Sequence, residues 1–269
     1  MASVFITGSA DGLGRRAAQR LVASSHDVVL HGRDRQRAQD AMRAVPGART
    51  ALVGDLASIG ETRALAEQAN AAGPFQTVIH NAGVQSIHNA GVYRPNAPRP
   101  ETVDGLEDTF VVNTLAPYLL TALITSPQRL VFLTSDLHQG GEPDLSDLQW
   151  RQRRWSGSQA YANSKLFVLA LAFGVARHWP HVLSNAVNPG WVPTRMDGPQ
   201  ARDDLEQGAE TQVWLAVSAE RDALVSQKYF YHKQIRSAHP AASNVNFQNQ
   251  LLDACAQLTG VELPSVVAP

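Results

Sequence analysis

Short apolar runs alternate with longer segments of helical periodicity along most of the chain. Within each run the apolar residues are consecutive, which is typical of strands covered on both faces of a sheet. The predicted strands are Val4–Thr7, Val28–His31, Ala51–Gly54, Thr77–His80, Leu130–Thr134 and Val182–Val187, with Lys228–Tyr231 as a further edge strand. The longer segments predict helices at Leu13–Ala23, Gln36–Ala44, Ile59–Ala71, Leu106–Ile124 and Ser158–Arg177.

This alternation of strands and helices predicts an α/β fold. Parallel strands are joined by right-handed crossovers, which place helices on both faces of the sheet. No internal repeat and no linker divides residues 1–269. We therefore expect a single domain built on a doubly wound parallel sheet.

Composition narrows the class of protein. Of 269 residues, 44% are hydrophobic, which is enough for a buried core and argues against disorder. The formal net charge of −1 gives no general attraction to nucleic acid or to anionic membranes. The single cysteine, Cys255, excludes an intrachain disulfide and a cysteine-based zinc cluster. No apolar run has the length of a membrane span, and the strand-like start leaves no room for a signal peptide, so a cytoplasmic protein is expected.

The segment Thr7–Gly14, which reads TGSADGLG, lies between the first predicted strand and the first predicted helix. Its glycines, Gly8, Gly12 and Gly14, allow a tight turn and a close approach of the backbone to the phosphates of a ligand. The free N–H groups and positive dipole end of the following helix favour a pyrophosphate. The segment predicts a dinucleotide site, although its spacing differs from G-x-G-x-x-G and a tight strand–helix turn alone also uses glycines.

A second feature of such a site is the segment His31–Asp34 (HGRD), after the second strand. A dinucleotide site binds the adenosine ribose at this position. An acidic residue accepts the ribose hydroxyls of NAD, and an arginine binds the 2′-phosphate of NADP. Gly32 stands in the place of the acid and the guanidinium of Arg33 follows it, which favours NADP(H) over NAD(H). Asp34 is either the ribose acid or a helix cap, and Asp11 places a negative charge near the same phosphate.

A tyrosine and a lysine open the longest apolar helix, which reads SQAYANSKLFVLALAFGVAR. Tyr161 and Lys165 are four residues apart and therefore share one helix face. The residues directly after the lysine are apolar, although a lysine on a half-buried helix normally lies on the solvent face. The pair is either ordinary amphipathic surface or a chemical pair, in which the ammonium stabilises a phenolate.

The order of these segments resembles the short-chain dehydrogenase/reductase family. The shared motifs are TGSADGLG, Asp55–Leu56, Asn81–Ala82–Gly83, Asn113, Ser135, YANSK from Tyr161 to Lys165, and Pro189–Gly190 followed by Thr194. The resemblance spans residues 3 to 231. HGRD and the long connection between Ser135 and Tyr161 are most similar to the retinol dehydrogenase branch. The resemblance implies a Rossmann fold, a nicotinamide cofactor and oxidoreductase activity.

The resemblance also implies catalytic roles. Tyr161 would be the general acid or base, while Lys165 would lower the pKa of its phenol and bind the nicotinamide ribose. Ser135 would hydrogen-bond the substrate oxygen, and Asn113 would hold a water that relays protons to Lys165. A free phenol has a pKa near ~10, so lowering it by ~3 units needs about 4 kcal/mol of differential stabilisation.

The same motifs imply where cofactor and substrate bind. Substrate contacts would come from loops at residues 84–104, 136–158 and 190–210. His80 and His138 have no partners at metal-ligand spacing, so no metal is expected. The implied cofactor-binding residues are Gly8, Ser9, Gly12, Leu13, Gly14, Arg33, Asp55, Leu56, Asn81, Ala82, Gly83, Tyr161, Lys165, Pro189, Gly190, Val192 and Thr194, and the implied substrate-binding residues are Ser135, Leu137, His138 and Trp191.

The predicted function is hydride transfer between NADP(H) and a carbonyl or alcohol carbon of a small, largely apolar substrate. Two alternatives stay open at this point. One is a protein of the same fold that senses NADP(H) without turnover, for which the glycine segment and Arg33 would suffice. The other is an enzyme of the family that reduces a C=C bond.

Assembly depends on two predicted helices, Thr102–Ile124 and Ser158–His178, through which subunits of the resembled family commonly pair. We expect either a monomer, in which residues 139–157 cover the second helix, or a homodimer, and we favour the covered monomer. The arginines of Gln149–Arg154 within that cover are read as a solvated surface. The apolar face to be covered consists of Phe167, Leu171, Gly174 and Val175.

Overall fold

The computed structural model describes residues 1–85, 99–125, 127–194, 196, 198 and 200–265. These residues form an eight-stranded sheet in the order β3-β2-β1-β4-β5-β6-β7-β8. Strands β1 to β7 are parallel, and the short β8 pairs antiparallel with β7. The strands are β1 (Ser3–Ile6), β2 (Asp27–Gly32), β3 (Thr50–Val53), β4 (Thr77–His80), β5 (Arg129–Leu133), β6 (Leu183–Asn188), β7 (Tyr229–Tyr231) and β8 (Gln234–Ile235).

Helices cover both faces of this sheet. One face carries α1, α2 and α7, whose apolar residues pack on Val4, Ile6 and their neighbours. The other face carries α3, α5 and α6, and α8 packs outside α6. The helices are α1 (Gly12–Ala23), α2 (Arg35–Ala44), α3 (Ile59–Ala72), α4 (Asp108–Phe110), α5 (Ala116–Leu123), α6 (Gly157–His178), α7 (Leu205–Val217) and α8 (Val245–Thr259).

The predicted α/β sheet is confirmed, and each predicted strand agrees with the structure to within one residue at each end. The agreement follows from burial, because strands covered on both faces have continuous apolar runs. The order of the strands reverses between β1 and β4, which are joined side by side at the centre of the sheet. Such a reversal opens a crevice at the carboxyl ends of the strands, where ligands of this architecture bind.

The helix predicted over Leu106–Ile124 is not a continuous α-helix. A π-helical turn, Val111–Leu115, separates α4 from α5. Pro117 explains the interruption, since it has no N–H to donate to the carbonyl of Asn113 four residues earlier and its ring crowds that carbonyl. The interruption places Asn113 at the centre of the turn.

The helix α6 is apolar on all sides because it is buried on all sides. The predicted cover over its outer face is wrong: α8, and not residues 139–157, packs there. The ring of Phe247 lies 6.0 Å from that of Phe167, and Gly174 faces Gln248 and Leu252. The first part of the segment predicted to cover this face packs instead near the start of α6, where the Glu142 N–H donates to the Asn163 side chain at 2.8 Å.

No helix in the described residues has both the length and the apolar character that a bilayer crossing requires.

Candidate active site

A large cavity of about 1350 Å³ lies at the carboxyl ends of the strands. Loops that follow β1, β2, β4, β5 and β6 all contribute to its walls, because the carboxyl ends of parallel strands meet at one edge of the sheet. The cavity exceeds the usual range of roughly 300–1000 Å³ for small-molecule sites. Its size therefore suits a dinucleotide together with a second molecule.

The glycine-rich segment forms the floor of the cavity under the start of α1. Asp11 caps this helix by accepting the Gly12 N–H at 2.9 Å. Gly8 has a φ of +63°, and a Cβ on it would lie 2.8 Å from the Cα of Ala82. A Cβ on Gly14 would lie 2.4 Å from the side-chain nitrogen of Asn81. Side chains are therefore excluded where the backbone and α1 approach the cavity.

The segment Asn81–Ala82–Gly83 supports this floor from the end of β4. The Asn81 amide nitrogen donates to the carbonyls of Thr7 and Gly8, at 3.0 and 3.2 Å. The hydroxyl of Thr7 in turn accepts the N–H groups of Asn81 and Ala82. These bonds fix the glycine-rich segment against β4. Of the predicted cofactor residues, Ser9 and Gly14 are buried behind the cavity wall, and the others line the wall.

Two arginines stand at the end of the cavity beyond β2, Arg33 just before α2 and Arg37 in its first turn. The Arg33 side chain is 73% exposed and lies 3.5 Å from Asp34, which caps α2 through the Arg37 N–H. Arg37, which the sequence analysis missed, is 25% exposed, and its guanidinium lies 3.4 Å from the Asp11 carboxylate. Both arginines line the cavity.

Asp55 and Leu56 follow β3 and line the same end of the cavity. One carboxylate oxygen of Asp55 accepts the N–H of Ala57 at 3.0 Å, and its own N–H donates to Glu61 at 2.8 Å. These bonds hold the loop between β3 and α3 against the cavity.

Tyr161 and Lys165 lie on the face of α6 that borders the cavity, near its middle. The Lys165 ammonium is buried, lies 5.4 Å from the centroid of the Tyr161 ring and donates to the Leu133 carbonyl at 3.1 Å. The hydroxyl of Thr134 donates to the Lys165 carbonyl at 2.7 Å. This bond joins α6 to the end of β5, so the pair has a fixed position beside Ser135.

Ser135 follows β5 and borders the cavity together with Leu137. Its hydroxyl accepts the Leu137 N–H at 3.3 Å. His138 lies behind it, fully buried, and does not line the cavity. The His138 Nε2 accepts the N–H of His239 at 3.2 Å, so its Nδ1 carries the proton and donates to the Ser135 carbonyl at 2.7 Å. Burial lowers the pKa of His138, which keeps the ring neutral.

Asn113 also lies behind the cavity wall. Its side-chain oxygen accepts the Val84 N–H and its nitrogen donates to the Val84 carbonyl, both at 2.8 Å. The same nitrogen donates to the Ser164 hydroxyl at 3.0 Å. Asn113 thus ties the chain after Gly83 to α6, one residue before Lys165. A Cβ on Gly83 would lie 3.3 Å from the Asn113 oxygen and 3.4 Å from the Lys165 nitrogen.

The wall opposite α1 is formed by the loop after β6. Gly190 has a φ of +88°, and Asp203 accepts the Trp191 N–H at 2.6 Å. Trp191, at 48% exposure, and Leu137, at 55%, stand at the rim. The remaining predicted residues of this loop that line the cavity are Pro189, Val192 and Thr194.

Polar side chains from three segments complete this part of the cavity. None was predicted individually, although Asp136 and Asp203 lie within predicted substrate loops. The Tyr229 hydroxyl lies 3.4 Å from the Asp136 carboxylate, and burial together with that carboxylate raises the pKa of Tyr229. The sequence indicated Asp136 only through its position next to Ser135, and Tyr229 only through its position in the last predicted strand. The missed residues are Asp136, Asp203, Tyr229, Tyr231, Arg236 and Ser237. The loop residues 86–98, 195, 197 and 199 lie outside the described part of the chain.

The described residues contain no group of three or more histidine, cysteine, aspartate or glutamate side chains that could hold a metal ion.

Comparisons with known proteins identify the family of this chain. Residues 2–129 match the family described as short chain dehydrogenase. An uncharacterized oxidoreductase of Emericella nidulans is 42% identical over 98% of this chain and 99% of its own length. Human retinol dehydrogenase 13 is 29% identical over 98% of this chain and 86% of its own length. The predicted resemblance to the family, with retinol dehydrogenases among the relatives, is confirmed.

Solved structures share the fold. A Mycobacterium paratuberculosis protein of uncharacterized function is 26% identical, with a TM-score of 0.82 over 98% of this chain and 95% of its own. An NADP complex of RhlG from Pseudomonas aeruginosa is 20% identical, with a TM-score of 0.65 over 85% of this chain and 93% of its own.

Proposed function

The chain belongs to the short-chain dehydrogenase family of oxidoreductases, and from this premise we propose that it transfers hydride between NADP(H) and a carbonyl or alcohol carbon. The observation that carries the proposal is the convergence of Ser135, Tyr161 and Lys165 on one cavity, next to a glycine-rich helix start. A protein that only senses the cofactor needs the helix start and a group such as Lys165 for the ribose, but it has no use for the hydroxyls of Ser135 and Tyr161. Their fixed placement therefore favours turnover.

The cavity suits a nicotinamide dinucleotide. Gly8 and Gly12 both have positive φ values and leave open the space where side chains would otherwise stand, at the N-terminus of α1. That terminus would bind the pyrophosphate through free N–H groups. The bound cofactor would supply the hydride, so the protein has to position two molecules and manage one proton.

The proton step falls to Tyr161. Its phenol would protonate the carbonyl oxygen during reduction and accept the proton during oxidation. The Lys165 ammonium, 5.4 Å from the tyrosine ring, favours the phenolate. Ser135 would donate a hydrogen bond to the substrate oxygen, where charge develops. The His138 ring holds its carbonyl and the Leu137 N–H holds its hydroxyl oxygen, so the hydroxyl has a defined position from which to donate.

A preference for NADP(H) is supported by the charge at the far end of the cavity. The Arg33 side chain is exposed and can reach a phosphate, and Arg37, in the first turn of α2, lies beside the Asp11 carboxylate. A guanidinium binds phosphate oxygens bidentately. Asp34 is used as a helix cap, so the carboxylate that could have served as a ribose acid is already bound to the Arg37 N–H.

The substrate would be a small carbonyl or alcohol with an apolar body. Val112, Leu137, Trp191 and Met196 line the space near Tyr161 and offer apolar contact. We propose that the loops at 84–104, 136–158 and 190–210 contribute these contacts, with His138 acting from behind Ser135. Polar side chains next to Asp136, such as Tyr229 and Arg236, favour a substrate with one polar edge.

The test is a steady-state assay of NADPH oxidation with aldehydes, ketones and quinones, for the wild type and Tyr161→Phe. The substitution keeps the ring and removes the transferable proton. We expect turnover to fall by ~10²–10⁴, the range for a lost general acid or base, with little change in cofactor affinity. Lys165→Ala should reduce both turnover and cofactor affinity, because it serves the phenolate and the ribose.

Tyr118→Phe is the matched control. Tyr118 lies outside the cavity and its hydroxyl donates to the Val261 carbonyl, so its loss should affect stability and not turnover. Near-normal turnover of Tyr161→Phe would overturn the mechanism. Cofactor binding by the wild type with no turnover on any carbonyl would favour the sensing protein, and activity only on activated alkenes would favour C=C reduction.

A further inference from the structure

His31, at the carboxyl end of β2, binds backbone groups with both nitrogens of a fully buried ring. The Gly8 N–H donates to Nδ1 at 2.9 Å, and Nε2 lies 2.8 Å from the Gly54 carbonyl. A carbonyl only accepts hydrogen bonds, so Nε2 carries the proton and Nδ1 is the acceptor. The two partners therefore require one neutral tautomer of the ring.

The backbone of His31 binds the same glycine-rich segment. Its N–H donates to the Ser9 hydroxyl at 2.7 Å, and the Ser9 N–H donates to its carbonyl at 3.2 Å. One residue thus joins β2, the turn at Gly8 and the loop after β3. Gly8 is the residue whose positive φ turns the chain under the cavity. Loss of the bond to Nδ1 would release that turn at the point where the phosphates are expected.

We propose that His31 is a positioning residue for the cofactor: its neutral ring holds the Gly8 turn in the shape that binds the dinucleotide, and acid weakens binding by protonating the ring. The proposal rests on the proposed cofactor site. A protonated ring presents an N–H to the Gly8 N–H in place of an acceptor, so the bond is replaced by a repulsive contact.

Burial of the ring sets the direction in which its pKa shifts. Burial lowers the pKa of His31 from its usual 6.5, against the opposing effects of the Gly54 carbonyl and the Asp55 carboxylate. The other charged side chains at this end of the cavity are Asp11, Arg33 and Arg37. The ring is therefore neutral near pH 7. Affinity should fall only on the acid side of about 6.5, as the pH passes through the lowered pKa.

Two substitutions separate the contributions of the two ring nitrogens to cofactor binding. In His31→Asn the side-chain oxygen can occupy the place of Nδ1 and accept the Gly8 N–H without titrating. In His31→Gln the longer side chain reaches the place of Nε2 and the Gly54 carbonyl, and the acceptor for Gly8 is lost. The dissociation constants of NADP⁺ and NAD⁺ are measured by calorimetry at about pH 7.5 and about pH 5.

We expect His31→Gln to weaken binding of both dinucleotides by roughly 3- to 10-fold at the higher pH, the range for one hydrogen bond. His31→Asn should bind nearly as the wild type there and lose less affinity at the lower pH. A 2′-phosphate itself titrates near pH ~6, so NAD⁺, which lacks this group, isolates the contribution of the ring.

His26→Asn is the matched control. The His26 Nδ1 also accepts a backbone N–H, that of Ala2, but it lies at the amino end of β2, away from the cavity. The variant should keep the affinity and the acid dependence of the wild type. Wild-type affinity in His31→Gln, or an unchanged acid dependence for NAD⁺ in His31→Asn, would overturn the proposal. If His31→Gln does not fold, the comparison of wild type with His31→Asn decides. Binding of neither dinucleotide to the wild type would instead overturn the proposed function, and this proposal with it.

Discussion

At the residue scale, Arg33 and Arg37 set the charge at the end of the cavity where the adenosine would lie. Asp11 would repel a phosphate if it stood alone, but its carboxylate lies 3.4 Å from the guanidinium of Arg37 and 3.9 Å from that of Arg15. The acid therefore orients arginines instead of opposing the ligand. Arg33 is more exposed than Arg37 and so has more freedom to close on a phosphate.

This arrangement predicts how cofactor preference changes. Arg33→Asp should weaken NADP(H) binding by about 1–3 kcal/mol, the range for a lost charge-assisted contact, and improve binding of NAD(H). The measurement is the dissociation constant of each dinucleotide at fixed ionic strength, since salt screens exposed charges.

Arg35→Asp provides the control for a general change in charge. Arg35 is exposed at the start of α2 and does not line the cavity, so the preference should stay as in the wild type. A wild-type preference for NAD(H), or an unchanged preference in Arg33→Asp, would show that Arg33 does not read the phosphate.

The residues that the sequence predicted are those whose type is restricted by a motif. Gly8, Ser135, Tyr161 and Lys165 could be identified because their spacing and order are constrained. Arg37 and Asp136 are individually ordinary polar residues. Their contribution depends on which side chains of other segments they meet, and periodicity along one segment carries no information about that.

At the scale of elements, the junction of β2 and α2 explains why no acid stands at Gly32. A Cβ there would lie 2.4 Å from the backbone nitrogen of Ala38 and 2.7 Å from the carbonyl carbon of Arg37. The helix therefore packs directly on the end of the strand, and only glycine permits this approach. The same packing brings Arg37 to the cavity.

We therefore expect Gly32→Asp to fail as a route to NAD specificity. The added side chain should displace α2, lower stability by about 1–3 kcal/mol, as overpacking does, and weaken both dinucleotides. Thermal unfolding and dissociation constants provide the measurement. Gly32→Ala isolates the steric effect from the charge and should behave in the same direction. Tight binding of NAD⁺ to Gly32→Asp would contradict this account of the junction.

The elements also show which parts of the fold the sequence could predict. Strands such as β1, β4 and β5 were predictable because they are almost entirely buried and their sequences are rich in consecutive apolar residues. The helices α7 and α8 were not predicted, because each mixes apolar and polar positions and neither carries a motif. Pro117 indicated that the helix around Asn113 would be interrupted. Whether a proline kinks, ends or locally widens a helix depends on the packing around it, which the sequence does not show.

At the scale of the whole molecule, α8 occupies the face of α6 for which the sequence suggested either a cover or a partner subunit. The C-terminal segment is also held by hydrogen bonds to three other elements. The Tyr118 hydroxyl donates to the Val261 carbonyl at 2.7 Å, and the Trp179 indole donates to the Pro264 carbonyl at 2.8 Å. Arg63 of α3 donates to the Thr259 carbonyl. A partner subunit could reach α6 only after these bonds and the apolar contacts of α8 were lost.

We therefore propose that the protein is a monomer and expect light scattering to give a mass near 29.1 kDa. The cover itself is tested by Leu252→Ala, since Leu252 is buried beside Gly174 on α6. Removing this side chain should cost about 2–5 kcal/mol of unfolding free energy, as for buried leucines elsewhere. Val245→Ala on the same helix should cost far less, because Val245 is largely exposed. A stable dimer or tetramer in which Leu252→Ala is no more destabilising than Val245→Ala would show that α8 leaves α6 in solution and that the face is used for assembly.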